Sequence, residues 1–202
     1  FFKQKTAYEI YQCDWSSDVC SSDLLSVANN VAVSSPIKGT SSTDTFLEKD
    51  RAENLMIVDL IRNDMSSTAR VGSVSTPRLL DTEEHPGLFH LVSDVQSEIA
   101  DGKDIVNLLS AMMSPGSVSG APKSSALTII RENEGKRGPY CGALGWIEGD
   151  RAEIAVGIRT FWQGEDGVLN FGTGAGITWG SEPMREWEET ELKARRLIGL
   201  AS

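Results

Sequence analysis

Apolar residues recur at helical spacing over residues 43–64, where Leu47, Leu55, Val58 and Ile61 form one stripe, and this predicts a long amphipathic helix. Residues 88–99 alternate loosely between apolar and polar and predict a strand. Further helices are predicted over 103–112, 123–134 and 181–200. Three successive strands are predicted over 140–148, 152–163 and 168–175, split by Gly149 with Asp150 and by the glycine-bounded turn 164–167. Connections this short favour antiparallel hairpins. Strands joined mainly by hairpins, with helices outside, point to an α+β fold rather than a doubly wound sheet.

Between the apolar run 105–113 and the helix-like run 124–134 lies SPGSVSGAPK, residues 114–123. Its glycines and prolines exclude a regular element, and Pro122 suits the first turn of a new helix. A tight loop leading into a helix N-terminus, with hydroxyls and Lys123 nearby, has the makings of an anion site, although an ordinary turn accounts for the composition equally well. It is not a nucleotide phosphate loop, which requires Gly directly before the Lys; here Pro122 stands there.

Composition narrows the function classes. The formal net charge is −10, which disfavours binding to a nucleic-acid backbone. No apolar run approaches the roughly 18 residues that a membrane span requires. Residues 1–24 resemble translated sequencing-library adapter, through KQKTAYE (3–9) and DWSSDVCSSDL (14–24), and are set aside from the fold argument. Cys13 and Cys20 leave with them. Cys141 then remains alone, so no disulfide framework or cysteine-based metal site is expected, in keeping with a cytoplasmic protein.

Candidate chemistry collects in a few places. Asp50 and Glu53 are three residues apart on the first predicted helix; Glu186 and Glu189 are three apart on the last, with Lys193 four further on. Each pair shares a helix face. Two such faces brought together would make an all-oxygen site suited to Mg²⁺, whereas apart they are ordinary solvated surfaces. Arg159 alternates with Ala155, Gly157 and Phe161 along one predicted strand, and small neighbours would leave room for a carboxylate held bidentately. A surface Arg fits the same pattern. The glycine-rich stretch 172–176 lacks the spacing of a dinucleotide fingerprint.

Eight blocks in fixed order carry a resemblance: SPIKGT (35–40), RAENLMIVDLIRND (51–64), HLVS (90–93), SGAPK (119–123), GPYCGALGW (138–146), IRT (158–160), GAGI (174–177) and EETELKA (188–194). Through them the chain resembles the chorismate-utilising enzymes. The resemblance implies antiparallel sheets layered with outer helices. It implies Mg²⁺ held by Asp50, Glu53, Glu186 and Glu189, binding the ring carboxylate of chorismate. Arg159 and Tyr140 are implied at the enolpyruvyl carboxylate, with backbone N–H groups of Gly174, Ala175 and Gly176. Ser117 and Lys193 correspond to substrate contacts, and His90 to an active-site wall. Lys38 corresponds to the lysine of aminodeoxychorismate synthases, where it would act as a nucleophile at C2; Ser41 stands where that group commonly has Arg. The expected activity is therefore conversion of chorismate and ammonia, delivered by a glutamine amidotransferase subunit or domain, to 4-amino-4-deoxychorismate for folate synthesis. Anthranilate synthase component I is the alternative, and a further one is an inactive chorismate- or magnesium-binding fragment. Family members are more than twice this length, so residues 25–202 are expected to be the C-terminal portion of a catalytic domain. On that reading the isolated portion turns over little and exposes unpaired sheet edges.

Overall fold

The computed structural model describes residues 23–41, 43–85, 88–177 and 179–201; the expected adapter segment therefore lies outside it, except for Asp23 and Leu24. Strands β1 (Asp23–Ala28), β2 (Val31–Ser34) and β3 (Ile37–Ser41) precede helix α1 (Glu48–Ser66). Long strands β4 (Ser75–His85) and β5 (Leu88–Glu98) follow, then helices α2 (Ile105–Met112), α3 (Gly116–Ser119) and α4 (Lys123–Asn133). The chain continues through β6 (Ala143–Glu148), β7 (Arg151–Val156), β8 (Phe161–Gln163) and β9 (Leu169–Phe171) to helix α5 (Pro183–Ala201).

All strand pairings are antiparallel, as the α+β expectation requires. The main sheet runs β3–β5–β2–β1–β7–β6, with β4 along the other edge of β5; β8 and β9 form a separate two-stranded sheet. Strand β5 organises the larger sheet. Its first half pairs with β3 (Ile37 opposite Val92, Thr40 opposite His90) and its second half with β2 (Val33 opposite Gln96). Strands β2 and β3 are thus one interrupted strand. Pro36 has no N–H for the ladder, but its carbonyl still accepts from the Ser93 N–H at 3.2 Å.

The core lies between this sheet and helices α1 and α2. Leu25, Val27, Ala32, Val95, Ala152, Ile154 and Val156 face it from the strands, and Val58, Met65, Leu108 and Met112 from the helices. Alternate residues of β7 are buried, the signature of a strand with one face on the core.

Several expectations require correction. The first helix begins at Glu48 rather than residue 43. Its buried face carries Asn54, Ile57, Val58 and Met65, whereas Leu47 and Leu55 are exposed. The apolar stripe is displaced because a polar residue, Asn54, holds a central buried position. Strands β1 to β4 were not anticipated. The β1–β2 hairpin turns on Asn29 and Asn30 at φ 51° and 65°, the left-handed pair that a two-residue hairpin needs. The strand predicted over 152–163 ends at Val156. A Cβ at Gly157 would collide with the Pro139 carbonyl, and Gly157 exchanges backbone hydrogen bonds with Cys141 and Gly142 instead of continuing the ladder. Pro122 lies one residue before α4 rather than within its first turn.

Candidate active site

Two groups of the expected site residues are assembled by the fold. The first lies where β3, α1 and β5 meet. Lys38 on β3 is 3.8 Å from the Glu53 carboxylate on α1, and Lys49 reaches the same carboxylate at 3.6 Å. Exposed pairs of this length contribute about 0–1 kcal/mol each, so they orient more than they stabilise. Asp50 lies against the turn of β3, where a Cβ at Gly39 would be 3.1 Å from the Asp50 Cβ. Its Oδ2 accepts the Leu47 N–H at 3.1 Å, satisfying a donor that the start of α1 leaves open. His90 is on β5, directly opposite Thr40 of β3.

A buried polar chain sets the rotation of α1. Asn54 Nδ2 donates to the Leu91 carbonyl at 3.1 Å. The Ser93 hydroxyl donates to Asn54 Oδ1 at 2.6 Å and accepts the Leu80 N–H at 2.9 Å. Leu80 has φ 55°, at a point where the β4 register is irregular, so its amide points to a side chain instead of the ladder. Asn54 neighbours Glu53, and Leu91 neighbours His90, so this chain fixes the first group from beneath. Sequence reasoning passed over Asn54 and Ser93: each adjoins a charged residue, Glu53 and Asp94, so the local pattern does not mark either as buried.

The second group surrounds the stretch 172–176. The Tyr140 ring rests directly on Gly172, and a Cβ at Gly174 would lie 2.9 Å from the Tyr140 hydroxyl. The approach at Gly172 is too close for any Cβ, so glycine is required there. Burial is the main reason that the Tyr140 hydroxyl pKa is raised, so it is kept protonated and able to donate. The Arg137 guanidinium stands 5.7 Å over the ring and is itself held by Glu134 at 2.6 Å. Lys193 on α5 is 2.6 Å from Glu189 and 3.5 Å from the Gly174 carbonyl. Beside them opens a groove of about 300 Å³, lined by Ala175, Ile177, Ser181, Glu186, Trp187 and Thr190.

The remaining expected residues are placed as follows. Arg159 lies beyond the end of β7 in a left-handed bend at φ 51° and is exposed; it is not on a strand face. Ser117 is exposed on α3. Lys123 does not offer a free charge to an anion. Its ammonium donates to Asp64 (2.9 Å) and to the carbonyls of Ala111 (2.9 Å) and Met112 (3.5 Å). Burial, opposed by Lys123, raises the Asp64 carboxyl pKa.

Among the described residues, no three His, Cys, Asp or Glu side chains are grouped to hold a metal ion. Asp50 and Glu53 belong to the first group, Glu186 and Glu189 to the second, and three of the four already have partners.

Comparison with known proteins places this architecture. The chorismate binding enzyme family matches residues 10–199. Anthranilate synthase component 1 of Saccharolobus solfataricus is 40% identical over 189 residues, covering 86% of this chain and 45% of that protein. The Aquifex aeolicus protein of the same name is 42% identical over 153 residues, covering 75% and 31%. The crystal structure of anthranilate synthase component I from Streptococcus pneumoniae superposes with a TM-score of 0.74 at 30% identity, covering 87% of this chain and 42% of that one. The chain thus spans less than half the length of these relatives. A Bacillus anthracis protein described as a putative 2,3-dihydroxybenzoate-specific isochorismate synthase shares the fold, with a TM-score of 0.74 at 22% identity. With the family match spanning nearly its whole length and its antiparallel α+β architecture shared with these structures, the chain belongs to the chorismate-binding enzymes.

Proposed function

We propose that this chain is the chorismate-binding portion of an anthranilate synthase component I, an enzyme that converts chorismate and ammonia to anthranilate, pyruvate and water. The relatives bearing that name support this reading over aminodeoxychorismate synthase, which the sequence alone placed first. The observation that carries substrate binding is the convergence of the Tyr140 hydroxyl, the 172–176 turn and the Lys193 ammonium beside one groove. A neutral phenol, close-packed glycine backbone and a cation together suit a carboxylate. Tyr140 orients the enolpyruvyl carboxylate by donating its proton. Lys193 supplies positive charge once chorismate displaces Glu189 from it. His90 forms part of the wall around the ring, and Arg159 and Ser117 are further contacts.

The second reading, aminodeoxychorismate synthase, is favoured by one observation: Lys38 is held beside Glu53 on the strand facing His90. There the amine would attack C2, expel the C4 hydroxyl, and be released when ammonia adds at C4. In either enzyme a glutamine amidotransferase partner would deliver ammonia in the cytoplasm. Asp50, Glu53, Glu186 and Glu189 are proposed magnesium ligands only in the longer protein.

The test gives the longer enzyme chorismate, ammonium and Mg²⁺. Pyruvate release with a fluorescent aromatic product is expected. Chorismate consumption without pyruvate would transfer the assignment to aminodeoxychorismate synthase, and no consumption would overturn both readings.

A further inference from the structure

Three helix ends meet at Lys123. Its ammonium binds Asp64 in the last turn of α1 and the carbonyls of Ala111 and Met112 at the end of α2, and Lys123 itself opens α4. The last carbonyls of a helix have no helical N–H partner and carry partial negative charge, so a cation complements them. The segment 113–122 leaves the chain one residue after Met112 and rejoins it at Lys123. One ammonium therefore ties both ends of that loop to each other and to α1.

The loop between these ends is ordered by its own contacts. The amides of Val118 and Ser119 donate to the Pro115 carbonyl at 3.1 and 3.0 Å, and the Gly120 amide to Gly116 at 2.9 Å. Gly116 packs against α1, where an added Cβ would be 3.0 Å from the Leu60 Cδ1, and Val118 packs on the core. Ser117, between them, faces outward.

We propose that Lys123 is a positioning residue: it clasps the 113–122 loop shut and so fixes the outward presentation of Ser117. The consequence for chorismate rests on the Ser117 contact proposed above; the clasp itself does not.

The experiment is hydrogen–deuterium exchange on the full chain without chorismate, comparing wild type with Lys123→Met, Lys123→Arg and Asp64→Asn. In Lys123→Met, the amides of 113–122 are expected to exchange about tenfold faster while β5 is unchanged, because opening becomes local. Lys123→Arg, which keeps the charge and the donors, is expected to restore most of the protection. Asp64→Asn, which leaves both carbonyl acceptors, is expected to fall between wild type and Lys123→Met. Unchanged loop exchange, failure of Arg to rescue, or equal acceleration in β5 would each overturn the clasp. Should Lys123→Met not fold, Asp64→Asn decides: acceleration confined to 113–122 supports the proposal, and its absence refutes it. Because no chorismate is present, failure of the substrate reading would not alter this result, nor the reverse.

Discussion

Asn54 shows how much one buried polar side chain can determine. It is fully buried, as is Ser93, and their hydrogen bonds reach Leu91 and Leu80 on two different strands. Removing the amide leaves the Ser93 hydroxyl and the Leu91 carbonyl without their partner, away from water. Each such orphan costs about 1–3 kcal/mol. Asn54→Ala is therefore expected to lower stability in urea titration by more than a comparable truncation at exposed Leu55. Equal losses would mean that the polar chain contributes nothing specific. Arg159 teaches the opposite lesson. Its residue type suggested a carboxylate clamp, but where it stands is set by its neighbour Gly157, which exchanges backbone hydrogen bonds with Cys141 and Gly142 past the end of β7 and has no room for a Cβ beside Pro139.

Between elements, the Asp64–Lys123 pair joins α1 to α4. Burial outweighs the lysine in raising the Asp64 pKa, so the folded chain holds that proton more tightly than the unfolded chain does. Stability from this group is therefore fully present below the ordinary carboxylate range and is lost as pH rises through the raised value. Thermal melts of wild type and Asp64→Asn should differ by more near pH 4 than near pH 7, to the advantage of wild type. A difference that is constant with pH, or that reverses, would show that the carboxyl is not shifted upward. Element prediction succeeded where the pattern was local. Helices α2 and α4, strand β5 and the hairpins at Gly149 and 164–167 were legible from periodicity and turn residues. Strands β1 to β4 were not: β1, β2 and β3 are short and take partners on β5 and β7 far along the chain, and β4, though it pairs with the next strand, is interrupted by register shifts that weaken its alternation.

At the scale of the molecule, most of the expected site residues fall into two groups on different elements, and among the described residues no three His, Cys, Asp or Glu side chains are grouped to hold a metal ion. Adding millimolar Mg²⁺ to this chain is accordingly expected to leave its melting temperature unchanged, since only an ion bound preferentially by the folded state would raise it. A clear rise that Glu53→Gln abolishes would show that the pairs do meet. Among the described residues, β6 is the end strand of the main sheet, with Leu144, Trp146 and Ile147 exposed, and α5 exposes Met184, Trp187, Leu192 and Ile198. Such surface is typical of faces made to be covered.

The sequence by itself determined the family and the class of fold. Ordered motif blocks and local turn chemistry survive without knowledge of distant contacts, since each is written in a few adjacent residues. Only the tertiary structure decided which of those blocks meet. It joined Lys38 to Glu53 and Tyr140 to Gly172 and Gly174, and turned Lys123 inward onto helix ends. The physical reason is that these outcomes depend on long-range pairing and buried polar partners. Residue spacing along the chain constrains a shared helix face, but not which face is brought opposite.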